Sequence, residues 1–141
     1  MKSYQDQKKL ILSYYDEIED ANVDNIVKVI QKYTVPNFHW YGVFPFNEQK
    51  GANKVAEAFW VPFLSSWKNL QRRQDIFIAG TSEIDNTDWV ISMGHFMGFV
   101  DNEWLGFPAN RKITFLRYAD FNSIENGKIV RSSFFCDIIS V

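Results

Sequence analysis

The sequence predicts an α+β fold in which helices come first and a run of antiparallel strands follows. Three observations support this. Apolar residues recur at helical spacing over the first third of the chain. After Leu70 the pattern changes to the alternation typical of strands. The last two apolar runs are joined by Asn126-Gly127, a strong signal for a two-residue hairpin turn. Helices followed by consecutive strands are typical of the α+β class.

Three helices are expected. The first runs from about Tyr4 to Asp20 and the second follows a break at Ala21-Asn22. A third opens after Gly51 and runs to Trp67, with a kink or a break expected at Pro62 because proline cannot donate a backbone hydrogen bond. The apolar stripes of the first two helices consist of Leu10, Ile11, Tyr14, Tyr15 and Ile18, and of Val23, Ile26, Val27 and Ile30.

The strands follow from alternating and β-prone runs. "FHWYGVFPF", from Phe38, predicts a short strand before the third helix. "RRQDIFIAGTSEI" and "WVISMGHFMGFV" predict two strands joined by a turn at "DNTD". After a loop through "DNEWLGFPANRK", the runs "ITFLRYADFNSI" and "KIVRSSFFCDII" predict the closing hairpin.

This hairpin predicts a register if no bulge interrupts it. A two-residue turn sets Glu125 opposite Lys128, and Asp120 then lies opposite Ser133. The face that carries Asp120 would mix polar groups with rings, as a pocket wall does. It would consist of Leu116, Tyr118, Asp120, Asn122, Arg131, Ser133, Phe135 and Asp137. With rings on both faces, one is expected to pack under the helices and the other to form a homodimer interface.

Length and composition limit the function. The 141 residues suit one domain, 1–141, and an aromatic content of 17% exceeds what a minimal core needs. With 15 Lys and Arg scattered among 17 Asp and Glu, no nucleic-acid partner is expected.

The sequence favours a cytoplasmic protein without a metal. One cysteine allows no internal disulfide. No segment is long and apolar enough for a signal peptide or membrane span, so a cytoplasmic location is expected. The two histidines and one cysteine show no metal-site spacing, so no metal is expected.

Three segments resemble the SnoaL-like polyketide cyclases, of the nuclear transport factor 2-like superfamily that includes ketosteroid isomerase. They are "GHFMGF", "LGFPANRK" and "LRYADFNSIENGKIV". The family pattern is roughly G-x-H-x-G, then L-G-x-P-x-x-G-R, then F-R-x-x-D-x-x-x-x-x-D-G-K-I. "FHWYG" and the helix after Gly51 fit as well, so the resemblance covers nearly the whole chain. Asn110 replaces the family's glycine before arginine, and Asn126-Gly127 replaces its Asp-Gly turn.

The resemblance implies a cone-shaped, strongly curved sheet around the helices, with a deep apolar pocket at its open end. It implies that Asp120 is a general base that removes a proton next to a carbonyl, so that the enolate closes a ring by an aldol reaction. It also implies that His95 orients or polarises a carbonyl, and that no cofactor is needed. The expected ligand is a hydrophobic small molecule. The expected substrate-binding residues are Tyr118, Phe135, Ser133, Trp40, Trp60 and Met93.

Each of these residues also has a structural interpretation. Asp120 could pair with Arg131 or face water, and His95 could be a satisfied pocket or core histidine. The tryptophans could belong to the core. The function therefore stays open between a cofactor-independent cyclase or isomerase, a non-catalytic binder of a hydrophobic molecule, and a protein-interaction module. A pocket lined by Asp120 would favour the first two, and a pocket filled by Phe and Trp rings would favour the third.

Overall fold

The structure, a computed structural model, describes residues 3–138. Within them, helix α1 spans Gln5–Glu19 and helix α2 spans Ile26–Tyr33. Helix α3, residues 52–66, consists of an α-helical turn at Ala52–Val55, a π-helical turn at Ala56–Trp60 and a second α-helical piece at Val61–Ser66. The three predicted helices are thereby confirmed.

Six strands form one open sheet in the described part of the chain. They are β1 (Thr34–Gly42), β2 (Glu48–Lys50), β3 (Trp67–Thr81), β4 (Asp88–Val100), β5 (Ile113–Glu125) and β6 (Lys128–Cys136). Their order across the sheet is β2-β1-β6-β5-β4-β3. The α+β class is confirmed. The short strand β2 was not predicted, and β3 begins directly after α3 rather than beyond Leu70.

The sheet is mixed, so the prediction of an antiparallel sheet was wrong for one pair of strands. β1 runs parallel to β6, whereas the other paired strands are antiparallel. Parallel neighbours need a long connection, and here α3 and four strands lie between β1 and β6 in the chain. Alternation within a strand does not reveal which distant strand it will pair with.

The expected break at Pro62 takes the form of a π-helical turn. Proline has no N–H to donate, and its ring clashes with the carbonyl four residues before it. The wider turn at Ala56–Trp60 ends two residues before Pro62, and the helix continues past the proline instead of ending there. No helix within residues 3–138 combines the length and the apolar character needed to cross a membrane.

The core lies between the three helices and the inner face of the sheet. α1 contributes its predicted stripe, including Ile11, Tyr14, Tyr15 and Ile18, all buried. The middle of the core is a continuous cluster of aromatic rings from α3, the sheet and two of the connecting loops. Its buried members are Phe38, Trp40, Phe46, Phe59, Trp60, Phe63, Trp67, Phe96, Trp104, Tyr118 and Phe134. This packing leaves a smaller, more polar region of the inner face next to α1, which contains the candidate site.

Candidate active site

Strand β5 carries Asp120 on the inner face of the sheet. Burial alternates along the strand, with Leu116, Tyr118, Asp120 and Asn122 buried. In the register with β4, Asp120 lies opposite Ser92, which is also buried. Asp120 is only 6% exposed, so it neither faces water nor sits at an open edge. Because a carboxylate in such a place is costly to desolvate, its partners decide what it can do.

Two side chains hold one oxygen of Asp120. The Tyr15 hydroxyl, from α1, donates a hydrogen bond of 2.6 Å to Asp120 Oδ2, and Asn122 Nδ2 donates to the same oxygen at 3.1 Å. Asn122 is oriented in turn by Ser132, whose hydroxyl donates to Asn122 Oδ1. No described residue donates a hydrogen bond to Asp120 Oδ1. One oxygen is therefore fixed, and the other is left to accept a proton.

The environment of Asp120 makes its carboxylate more basic. Burial raises its pKa above the ordinary value, while the charge of Arg72 and the hydrogen bonds from Tyr15 and Asn122 act in the lowering direction. The net direction is upward because desolvation is the largest effect. Burial, followed by the negative charge of Asp120, also raises the pKa of Tyr15 well above its usual value, so Tyr15 stays a hydrogen-bond donor.

Arg72 brings a cation into the same region. Its guanidinium carbon lies 3.5 Å from the ring centroid of Tyr15, 4.6 Å from that of Phe96 and 4.8 Å from that of Tyr118. Burial acts to lower the pKa of Arg72, but Tyr15, Tyr118 and Asp120 outweigh it and raise the pKa. Arg72 therefore remains charged among the rings. Its Nη1 atom is shut off from solvent and has no hydrogen-bond partner among the described residues.

A second chain of polar groups runs beside Asp120. The Ser92 hydroxyl lies 2.8 Å from the Tyr118 hydroxyl and donates to Gln74 Oε1 at 2.7 Å. These residues come from three adjacent strands, β3, β4 and β5. The inner face thus offers hydroxyl and amide groups next to a carboxylate and a guanidinium, a combination suited to binding and activating a carbonyl compound.

Trp40 and Trp60 lie on the same side of the sheet as Asp120 but within the ring cluster. Trp40 stacks on Phe134 at 5.9 Å between ring centroids, and Trp60 contacts Phe59 edge to face at 4.9 Å. Both tryptophans are 4% exposed. The structure therefore places them as core residues. Their predicted role in binding a substrate stays a prediction.

The predicted hairpin turn is confirmed, but the predicted register beyond it was wrong. Asn126 and Gly127 both have positive φ, 51° and 74°, and Glu125 pairs with Lys128. One extra residue, Val130, then interrupts β6, because Ile124 pairs with Ile129 and Ser123 with Arg131. This bulge shifts every later pair by one residue.

The bulge moves Ser133 and Phe135 away from Asp120. Asp120 lies opposite Phe134 instead of Ser133, and Tyr118 lies opposite Cys136 instead of Phe135. Phe135 is 49% exposed on the outer face. Since a shift of one residue sends every side chain to the opposite face, neither Ser133 nor Phe135 lines the region around Asp120. The possible pairing of Asp120 with Arg131 fails for the same reason.

His95 and Met93 also lie on the outer face. The buried residues of β4 alternate and include Ser92, Gly94 and Phe96, so His95 and Met93 point to the other side. His95 Nδ1 is 3.7 Å from Asp75 Oδ2, and its ring contacts Phe115 at 5.4 Å between centroids. The structure does not bring His95 together with Asp120, and the role of His95 in orienting or polarising a carbonyl stays a prediction.

Two residues beside Asp120, Tyr15 and Arg72, were not predicted as site residues from the sequence. Tyr15 belongs to the apolar stripe of α1, and Arg72 lies in the alternating run "RRQDIFIAGTSEI". Arg72 pairs with Phe96 in the sheet, and its neighbour Arg73 pairs with His95. A strict inward-outward alternation applied to β3 and β4 would have placed Arg72 inside and Arg73 outside. No comparable signal marks Tyr15, because its partner is more than a hundred residues away.

Two cavities lie on the outer face. One of about 430 Å³ is lined by Ile76, Met93, Arg117, Ala119 and Phe135 among others. A second, also of about 430 Å³, is lined by His95, Phe115, Arg117 and Asp137. The expected deep pocket at Asp120 stays a prediction, because these cavities open on the opposite side of the sheet. Within residues 3–138, no three His, Cys, Asp or Glu side chains are grouped closely enough to hold a metal ion.

Solved structures with the same fold carry several different names. A candidate SnoaL-like polyketide cyclase from Jannaschia sp. CCS1 superposes with a TM-score of 0.77 at 18% identity, over 99% of this chain and 92% of the other. AclR, a candidate hydroxylase from Streptomyces galilaeus, gives a TM-score of 0.76 at 16% identity, over 98% and 79% of the two chains. An NTF2-like protein from Burkholderia thailandensis gives 0.65 at 17% identity, over 99% and 95%.

The sequence comparisons add no closer relationship. No protein-family model matches the chain, and no curated protein matches it significantly. At identities below one fifth the structural likeness establishes the fold, and one fold supports many activities. The chain therefore has the α+β fold of the SnoaL-like polyketide cyclases and other NTF2-like proteins.

Proposed function

We propose that the polar region around Asp120 performs acid/base chemistry on an apolar carbonyl compound, with Asp120 as the base. One observation carries this proposal. Asp120 is buried, one of its oxygens is fixed by Tyr15 and Asn122, and burial raises its pKa. A base is most effective when its pKa is moved toward the working pH, and a fixed carboxylate reaches its target without reorganising. No metal or cofactor takes part in this proposal.

The step follows from the two oxygens of Asp120. Oδ1 takes a proton from the carbon next to a carbonyl, the C–H electron pair moves into the new C=C bond, and the carbonyl π pair moves onto its oxygen. The enolate either attacks a second carbonyl, which closes a ring and leaves an alkoxide that takes the proton back from Asp120, or, where a conjugated C=C bond extends it to a dienolate, takes that proton back at the far carbon, which isomerises the substrate. Tyr15 stays hydrogen-bonded to Oδ2 and keeps Oδ1 in place. The polyketide cyclase names of similar structures support ring closure as the first choice.

Proton removal can be measured without knowing the natural substrate. Flat ketones such as 2-tetralone are incubated with the protein in D₂O, and loss of the proton signal next to the carbonyl is followed by NMR. We expect the wild type to exchange this proton faster than buffer alone does. The catalysed exchange rate should fall at least about 100-fold in Asp120→Asn, since general-base catalysis contributes about 10²–10⁴-fold. Asp85→Asn, in the exposed turn between β3 and β4, is the matched control and should exchange like the wild type. Equal exchange in Asp120→Asn and wild type would contradict the proposal.

A protein-interaction module is the second candidate, and the ring packing favours it. Phe59, Phe63, Phe96 and Phe134 contact one another inside the cone, with centroids between 4.9 and 6.4 Å apart where they meet. The outer face meanwhile exposes Ile76, Ile78, Ile113, Phe115 and Phe135.

A thermal-shift screen with apolar carbonyl compounds separates the two candidates. A ligand of the inner face raises the melting temperature by mass action, and a shift that Asp120→Asn alters supports the enzyme. No shift with any compound and no proton exchange support the module.

A further inference from the structure

Arg72 has more donor capacity than the described structure uses. A guanidinium carries five N–H donors and accepts no hydrogen bond. Nη1 is sealed from solvent without a hydrogen-bond partner among the described residues, and Arg72 forms no ion pair with Asp120 there. The guanidinium does form a hydrogen bond with the Tyr118 side chain, so the unused donor capacity is that of Nη1. A buried donor left unpaired is costly, so native structures normally pair it with protein, water or ligand. This unpaired donor lies in the same polar region as Asp120.

The rings around Arg72 fix the plane in which it donates. Its guanidinium carbon is 3.5 Å from the centre of the Tyr15 ring, which places the ring over one face of the cation. Phe96 and Tyr118 lie within 5 Å of the same carbon. Stacking occupies the faces of a planar cation and leaves its N–H edges for an acceptor in the same plane. The acceptor that matches such an edge is a planar oxygen anion, such as a carboxylate or an enolate.

The charges of the two side chains favour the same ligand. Before reaction, Asp120 is negative and Arg72 is positive. When Asp120 accepts the proton it becomes neutral, and the negative charge moves to the substrate oxygen. Arg72 then faces that oxygen without a competing carboxylate, so its attraction is stronger for the enolate than for the ketone. Interactions that strengthen as charge develops are those that accelerate a reaction.

We propose that Arg72 is an oxyanion-binding residue, so that the region around Asp120 takes a planar, ring-bearing substrate whose oxygen anion lies against Nη1. That anion is a carboxylate already present on the substrate, or the enolate oxygen formed at the reacting carbonyl. The enolate case rests on the proposed function, whereas the carboxylate case needs only binding. Arg72 thereby takes the carbonyl-polarising part that the resemblance implied for His95, which lies on the other face.

Two matched pairs of probes test the assignment by isothermal titration calorimetry. 2-Naphthoate and 2-naphthamide differ by the carboxylate charge. 4-Nitrophenol, ionised at pH 8.5, and 4-nitroanisole differ by a charge that imitates an enolate. We expect the wild type to bind at least one anion about 10-fold or more tightly than its neutral partner, because a hydrogen bond to a charged group contributes about that much. The pair that shows the preference identifies the source of the anion.

The variants attribute the preference to one residue. Arg72→Gln should remove it, and Arg72→Lys should keep part of it, because lysine retains the charge but not the planar edge. Arg73→Gln is the matched control, since Arg73 is the next residue on β3, is exposed and faces outward, and it should keep the full preference. Asp120→Asn should bind the anions more tightly than the wild type, because a like charge has been removed. A circular-dichroism melt of each variant checks folding.

Other results overturn the assignment. Equal binding of both members of each pair by the wild type, no binding of either pair, or a preference that survives in Arg72→Gln would each do so. If Arg72→Gln does not fold, the wild-type comparison and Arg72→Lys decide. The proposed function fails separately. Exchange that depends on Asp120 without an anion preference leaves the base and removes the Arg72 assignment. An anion preference without exchange leaves an oxyanion-binding site and removes the base.

Discussion

The two oxygens of Asp120 have different environments, and this difference is what makes the residue a candidate base. Oδ2 accepts from Tyr15 and Asn122, whereas no described residue donates to Oδ1. Hydrogen bonds to the charged form lower a carboxyl pKa, and burial raises it. Burial is the larger effect here, so the folded protein holds a proton on Asp120 more tightly than the unfolded chain does. The stability of the protein should therefore depend on pH even when no substrate is bound.

Asp120 should make the wild type less stable as the pH rises. Its pKa is higher in the folded state, so its contribution is fully present below the unfolded pKa and is lost as the pH rises through the folded pKa. In Asp120→Asn this contribution is absent. Urea unfolding from pH 3.5 upward should therefore show the free energy of unfolding of the wild type falling relative to that of the variant. A relative gain for the wild type over this range would mean that the folded pKa is lowered.

Tyr15→Phe should weaken the protein and make Asp120 more basic. The change removes a buried hydrogen bond to a charged group, which costs about 1.5–3 kcal/mol in the free energy of unfolding at neutral pH. It also removes an interaction that lowers the pKa of Asp120, so the acidic limb of the pH–rate profile for proton exchange should move to higher pH. Tyr41→Phe, at an exposed tyrosine of β1, is the control. An unchanged acidic limb in Tyr15→Phe would show that Tyr15 has no part in setting the basicity.

At the scale of elements, strands β3 and β4 hold Arg72 in place. They are paired from Trp67 to Thr81 of β3, and a bulge at Asp75 follows the pair of Gln74 with Gly94. Gly94 has no room for a side chain, because an added Cβ would collide with the backbone carbonyl of Arg73. The backbones of Arg73 and Gly94 approach closely at this point. Because Arg72 directly precedes Arg73 in the chain, this contact fixes the direction of the Arg72 side chain.

Gly94→Ala should therefore be costly. Its Cβ meets backbone atoms that cannot rotate away, and overpacking of this kind costs about 1–3 kcal/mol in the free energy of unfolding. Gly80→Ala, near the end of β3, has nothing within 4 Å of the added carbon and should change stability by less than about 0.5 kcal/mol. Urea unfolding of both variants compares them. A Gly94→Ala variant as stable as Gly80→Ala would show that the strands separate there without cost.

Local patterns predicted most elements, and the exceptions have physical causes. The stripe of α1 and the Asn126-Gly127 turn depend on neighbours in the chain, so the sequence reveals them. The bulge at Val130 leaves no such mark, because the residue is β-prone and no glycine or proline accompanies it. The parallel pairing of β1 with β6 depends on residues far apart in the chain. The same limit applies to the site. Asp120 and Tyr118 were located, whereas Tyr15 and Arg72 were not.

The whole molecule has two faces of different character. Inside, rings and a few polar groups are packed together. Outside, β3, β5 and β6 expose large apolar side chains, including Ile76, Phe115 and Phe135 at about half of their surface. Exposed apolar patches of this kind usually mark an interface. The homodimer expected from the sequence therefore remains our proposal for this face.

A dimer through the outer face should depend on Phe135. Sedimentation velocity at micromolar concentration should show a dimer for the wild type and a monomer for Phe135→Glu, because a charge buried at an apolar interface without a partner is strongly unfavourable. Ile84→Glu is the control, since Ile84 is 98% exposed in the turn between β3 and β4 and belongs to neither strand. A wild type that sediments only as a monomer would remove the proposal.

The bulge at Val130 has a consequence for how the chain tolerates insertions and deletions. Removing Val130 would close the bulge, and the later pairs of β6 with β5 would keep their partners and their sides of the sheet. Removing a residue after the bulge, such as Ser133, while the bulge stays would instead move every later side chain of β6 to the opposite face, so that Phe134 would leave the ring cluster. The last strand should therefore tolerate a single-codon deletion at Val130 better than one further along it.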